Sequence, residues 1–138
     1  MALGIRELFR PLFYKIQDEA SADYFLRVRY GNEKELLETQ IARFDDPEAV
    51  KKLGVRARDT LKLVENYLKA RDTKFLLGDK PTHPDSILYG WYACSLVNRK
   101  FTLPELWEHP DLPRVAAWAK DMKRVTGLEP SFPDPLKK

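Results

Sequence analysis

The segment SILYGWYACSLVN, residues 86–98, is apolar on nearly every side that a helix could present. A helix with no wet face belongs at the centre of a bundle, so this stretch limits the possible folds more than any other. Its longest apolar run, Ile87 to Val97, is too short for a bilayer, which takes about 20 helical residues. Directly before it stands FLLGDKPTHPD, dense in turn residues. The juxtaposition has a physical reason. The first N–H groups of a helix lack intrahelical partners, and where the helix start is buried side chains must supply the acceptors. Thr82 reads as the N-cap, with His83, Pro84 and Asp85 as the first helical positions. Thr82 Oγ then accepts from the Asp85 N–H, while the Asp85 carboxylate accepts from the Thr82 N–H in a capping box. Pro84 is harmless in a first turn, and Asp85 sits at the positive end of the helix dipole.

The remaining pattern is helical too. Ile5, Leu8, Phe9, Leu12, Phe13 and Ile16 share one helical face, with Pro11 either kinking that helix or marking its true start. Ser21 to Tyr30 predicts a short helix that buries Tyr24, Phe25 and Val28 and stops at Gly31. Asn32 and Glu35 read as a capping box for a third segment, striped with Leu36, Leu37, Gln40, Ile41 and Phe44. Asp46-Pro47 opens a helix reaching Ala70, with Val50, Leu53, Ala57, Leu61, Val64 and Leu68 inward and Gly54 weakening its first third. Phe101 to His109 reads as a loop with one helical turn. The last helix, from about Asp111 to Thr126, turns Leu112, Val115, Ala116, Ala119 and Met122 inward, and Gly127 ends it. No alternating run suits a strand. The expectation is an all-α bundle of about six helices around a central buried helix, one domain over 1–138 with its core in 5–127 and an extended, proline-rich tail over 128–138.

Composition bears mainly on what the chain excludes. Its 138 residues are 43% hydrophobic, and 24 basic against 21 acidic side chains leave a net charge of +3. Interleaved signs give no basic stripe for nucleic acid, so no nucleic-acid partner is expected, and no membrane partner either. One cysteine precludes an internal disulfide, and MALGIRELFR lacks the apolar core of a secretory signal. A cytoplasmic location is the expectation.

FLLGDKPTHPDSILYGWY resembles the capped central-helix segment of the glutathione S-transferase C-terminal domain. HPDLPRVAAWAKDM is similar to that family's last helix. LFRPLFYKIQDEASADYFLRVRYGNEKELLE resembles fungal and bacterial etherase-type members. The likeness runs over about residues 5 to 127. It departs at Pro84, where the family usually has alanine, and at Ser86, where an aliphatic residue usually completes a hydrophobic staple, here expected at Ile87 instead. The family's N-terminal thioredoxin-like domain, which holds glutathione and activates its thiol, has no counterpart in the sequence. The resemblance implies the helical half of a glutathione transferase-like protein, with glutathione as co-substrate brought by that other domain. It further implies a hydrophobic electrophilic substrate, conjugation or ether cleavage as the reaction, and a homodimer. The isolated chain is then expected to be inactive. The competing reading is a free-standing, non-catalytic helical module for protein assembly.

No residue reads as catalytic. Cys94 has no cationic neighbour within a turn and is expected in the core. His83 is expected at the surface, and neither it nor His109 has a second ligand near it, so no metal is expected. Phe9, Phe13, Tyr14, Trp91 and Tyr92 form an aromatic set that core packing explains in large part. Through the family resemblance, Phe9, Phe13 and Trp91 become the candidate substrate-binding residues, with Phe9 and Phe13 on an exposed apolar patch. Thr82 and Asp85 are structural caps.

Overall fold

The computed structural model describes residues 2–136. These form an all-α fold: α1 (Ala2–Arg6), a 3-10 segment (Arg10–Ile16), α2 (Glu19–Tyr30), α3 (Lys34–Ala42), α4 (Pro47–Arg71), α5 (His83–Ser95), α6 (Arg99–Thr102), a π turn (Leu103–Trp107) and α7 (Pro113–Thr126). The described residues contain no strand, only an isolated bridge between Phe75 and Gly78.

The long α4 organises the bundle. Asp46 caps it, accepting from the Glu48 and Ala49 N–H groups at 3.0 and 3.4 Å. Leu53, Ala57, Leu61, Val64 and Leu68 are buried as expected, while Val50 is only partly so. α1 and α7 pack against this face. At Gly4 the approach is so close that an added Cβ would lie 3.1 Å from the Ala57 backbone. Gly54 does not interrupt α4. Its missing side chain admits the Phe101 ring, which would stand 2.8 Å from a Cβ there.

Several expectations fail for tertiary reasons. The first apolar stripe is not one helix: α1 ends at Arg6, and Pro11 lies at the start of a separate 3-10 segment. Ile5, Leu8, Phe9 and Leu12 are nevertheless buried. α2 touches little besides α3 and the 3-10 segment, so Tyr24 and Val28 stay 60% and 50% exposed. The capping box at Asn32 and Glu35 does not form, because Asn32 follows Gly31 into the left-handed region and Glu33 takes the cap position. Residues 101–107 are helical rather than loop, closed by the Glu108 N–H to Leu103 carbonyl bond at 2.8 Å, and Trp107 is completely buried. After Gly127 the tail is extended, with Phe132 set edge-on to Phe13 at 5.5 Å and Pro135 buried. Lys137 and Lys138 lie outside the described residues.

Candidate functional site

α5 carries the site, and its start is built as the sequence requires. The Asp85 carboxylate is fully buried. One oxygen accepts from the Thr82 N–H at 2.9 Å and the Thr82 hydroxyl at 3.2 Å. The reciprocal, weaker arm from the Asp85 N–H to Thr82 Oγ completes the capping box. The other oxygen accepts from the Leu76 N–H and from Trp118 Nε1, each at 2.9 Å. A single carboxylate therefore ties the loop before α5, the first turn of α5 and the middle of α7. His83 is exposed, as expected. Ile87, where a staple was expected, is 50% exposed. The bond to Leu76 fastens the incoming loop in its place.

Beyond the cap, α5 has two faces. Leu88, Tyr89, Tyr92 and Ser95 point into the core. Ile87, Gly90 and Cys94, spaced at helical intervals, are exposed. Cys94 is thus not a core residue: the apolar run is apolar all round because its second face lines a cleft. That cleft holds about 430 Å³ between α5, the α1 region and α2. Phe9 and Trp91 lie against it, with ring centroids 5.9 Å apart, and Phe25 and Ile87 extend the apolar lining. Phe9 also meets Phe13 edge-on at 5.9 Å. The structure therefore brings Phe9, Phe13 and Trp91 into one cluster. Only Phe9 and Trp91 reach the cleft, since Phe13 is turned toward Phe132 and the tail. Phe9 is 6% exposed, so the bare patch expected around Phe9 and Phe13 is largely closed by the protein itself.

The cleft offers binding surface rather than a reactive group. Although Cys94 reaches solvent, partial desolvation by the cleft walls pushes its thiol upward, away from the thiolate form that reacts. No cluster suited to a metal ion exists among the described residues. Tyr92, raised chiefly by burial, bonds Glu129 at 3.2 Å on the far side of α5. Lys123 first, then the Tyr92 hydroxyl, hold Glu129 below the usual carboxylate range. That cluster fastens the tail.

Two features escaped the sequence reading. Glu65, buried on α4, accepts from the Arg114 and Val115 N–H groups at 2.9 and 2.8 Å and so caps α7. An acid amid Leu61, Val64 and Leu68 was the available signal. Arg6, Arg10 and Arg29 also meet at the cleft. The spacing of four between the first two was visible, but the third arrives only through the fold.

The chain is thus a helical bundle in which a capped helix, α5, has an apolar cleft beside it. The family model for the glutathione S-transferase C-terminal domain matches residues 12–124, and the chain belongs to that family. No curated protein and no solved structure matches the chain. No helix among the described residues is long and apolar enough to cross a membrane.

Proposed function

We propose that this chain is the helical half of a glutathione transferase-like protein of the etherase type and supplies its hydrophobic-substrate site. In this reading the chain is one helical domain over 1–138, working in a cytoplasmic homodimer, and glutathione is held by a thioredoxin-like domain. The observation that carries it is the cleft. The family match places a transferase helical domain here, and α5 turns an apolar, exposed stripe to the cleft where Phe9 and Trp91 lie. Phe13 backs Phe9 from behind. The reaction is attack of glutathione thiolate on an apolar electrophile, by conjugation or ether cleavage. The chain's part is to hold that electrophile and exclude water around it.

A second surface supports a docking role. Leu63, Tyr67, Leu77 and Ile87 are exposed around an apolar groove of about 470 Å³, which shares Ile87 with the lining of the cleft. This groove suits the face of a partner domain. It also favours the alternative, an assembly module without catalysis.

Turnover of an aryl halide with glutathione by the 138-residue chain alone tests the division of labour. The expected result is no rate above the uncatalysed one, because in this reading the glutathione site and the group that activates its thiol belong to the thioredoxin-like domain. Saturable turnover would overturn it. Binding is read separately: Trp107 and Trp118 are fully buried while Trp91 is not. A neutral aromatic ligand should therefore change the emission of Trp91 alone, and Trp91→Phe should abolish the response.

A further inference from the structure

We infer that Gly90 is a specificity-determining residue of the cleft: its missing side chain lets a flat, fused-ring group lie against the α5 backbone. This role rests on the reading of the cleft as the substrate site and adds the residue that selects the substrate's shape. Of the six glycines in the chain, five answer to the fold. Gly31, Gly78 and Gly127 have positive φ, and at Gly4 and Gly54 a Cβ would crowd the Ala57 backbone and the Phe101 ring. Gly90 has neither reason. It stands inside α5 without a positive φ, and a Cβ built on it meets no atom within 4 Å. A glycine inside a helix lowers the folding equilibrium about two- to fivefold relative to alanine. No turn or contact among the described residues offsets that loss.

The space that a side chain at 90 would enter belongs to the cleft. α5 lines the cleft with Ile87, Gly90, Trp91 and Cys94, so Gly90 lies in the middle of the helix's contribution. Phe9 and Trp91, with ring centroids 5.9 Å apart, supply apolar surface beside it. Bare backbone at this point lets a ligand approach the helix more closely than any side chain would allow. Closeness decides the contact energy, because a gap of about 1 Å forfeits up to about half of a contact's dispersion attraction. A fused-ring group that reaches from Trp91 over Gly90 therefore loses contacts when a Cβ holds it off the helix. A single ring resting on Phe9 and Trp91 keeps its contacts, so residue 90 discriminates between the two.

The test compares 1-naphthaleneacetamide with phenylacetamide, both neutral and unreactive, by equilibrium titration of the wild-type chain, Gly90→Ala and Gly90→Leu. Urea unfolding of the same three proteins is measured beside it. The wild type should bind the naphthyl ligand about tenfold more tightly than the phenyl one. Gly90→Ala should reduce that preference to about threefold, chiefly by weakening the naphthyl ligand, and Gly90→Leu should abolish it. Both variants should unfold at urea concentrations no lower than the wild type, because each is a better helix former than glycine. Loss of binding together with undiminished stability is the signature of a residue kept for the ligand. A less stable Gly90→Ala would show that the fold needs this glycine and would overturn the role. So would a naphthyl preference that survives in Gly90→Leu, or one that is absent from the wild type while both ligands bind, and either result leaves the cleft standing. Failure of the wild type to bind either ligand would overturn the cleft reading itself.

Discussion

Replacing Asp85 with alanine strips three N–H donors of their acceptor at once: the Leu76 amide, the Thr82 amide and the Trp118 indole. An exposed N-cap loses about 1 kcal/mol on such a change. Here the carboxylate and the Trp118 indole are buried while the Leu76 and Thr82 amides are part-buried, and a buried donor left unsatisfied costs about 1–3 kcal/mol. The three share one group, and water entering the vacated space satisfies part of the loss, so the penalties do not simply add. The expected cost is about 3–5 kcal/mol, a large share of the roughly 5–15 kcal/mol that keeps a domain folded. Asp85→Asn keeps an acceptor oxygen for Leu76 and Trp118 but turns an NH₂ group toward the Thr82 N–H. Its loss should be about 1–3 kcal/mol. Urea unfolding followed by far-ultraviolet circular dichroism measures both, with the slope checked for constancy. In a Trp118→Phe background Asp85→Ala should cost less, by a coupling of about 1–2 kcal/mol. A loss of 1 kcal/mol or less, with no coupling to Trp118, would show that the start of α5 is hydrated and that the carboxylate does not join the three segments.

Three further outcomes follow from the packing and the charge pairs. Glu65→Ala should destabilise the protein by about 2–4 kcal/mol in the same assay, because it leaves the Arg114 and Val115 amides without their acceptor, while Glu65→Gln should recover part of the loss. Gly54→Ala should cost about 1–3 kcal/mol through the clash with Phe101, and Phe101→Leu in the same chain should recover part of it. The pKa of Glu129 is depressed in the folded state, so its pairing stabilises above the unfolded value, near 4.3, and the contribution is lost as pH falls through the lower, folded value. Glu129→Gln should therefore lower stability by less than about 1 kcal/mol at pH 7 and flatten this part of the acid limb, as read from unfolding midpoints between pH 7 and pH 3.

The parts legible in the sequence are those settled by local chemistry. The Thr82–Asp85 box, the Asp46-Pro47 start, the α4 stripe and the stops at Gly31 and Gly127 each depend on residues within a few positions of one another. The parts that misled depend on which neighbour the fold supplies. Tyr24, Phe25 and Val28 have the spacing of a buried face, but little covers α2. Cys94 has no cationic neighbour within a turn and sits in an apolar run, which points to the core, whereas an apolar residue can equally line a cleft. Trp118 lies outside the inward stripe expected for α7, although its indole reaches from α7 to Asp85 on α5. Of the candidate site, Phe9 and Trp91 could be named in advance through the family resemblance. The tail's cover over Phe13 and the place of Arg29 at the cleft beside Arg6 and Arg10 could not, because Phe132 and Arg29 reach their places only through long-range packing.

The most direct test of the cleft as the substrate site is an amide-resolved nuclear magnetic resonance titration of the 138-residue chain with 1-naphthaleneacetamide, a neutral and unreactive aromatic. Saturable shifts should centre on the Trp91 indole and on the Phe9, Gly90 and Cys94 amides, and should weaken in Phe9→Ala. Shifts confined instead to Leu63, Tyr67 and Leu77 would place the ligand in the groove and contradict the assignment of the substrate site to the cleft.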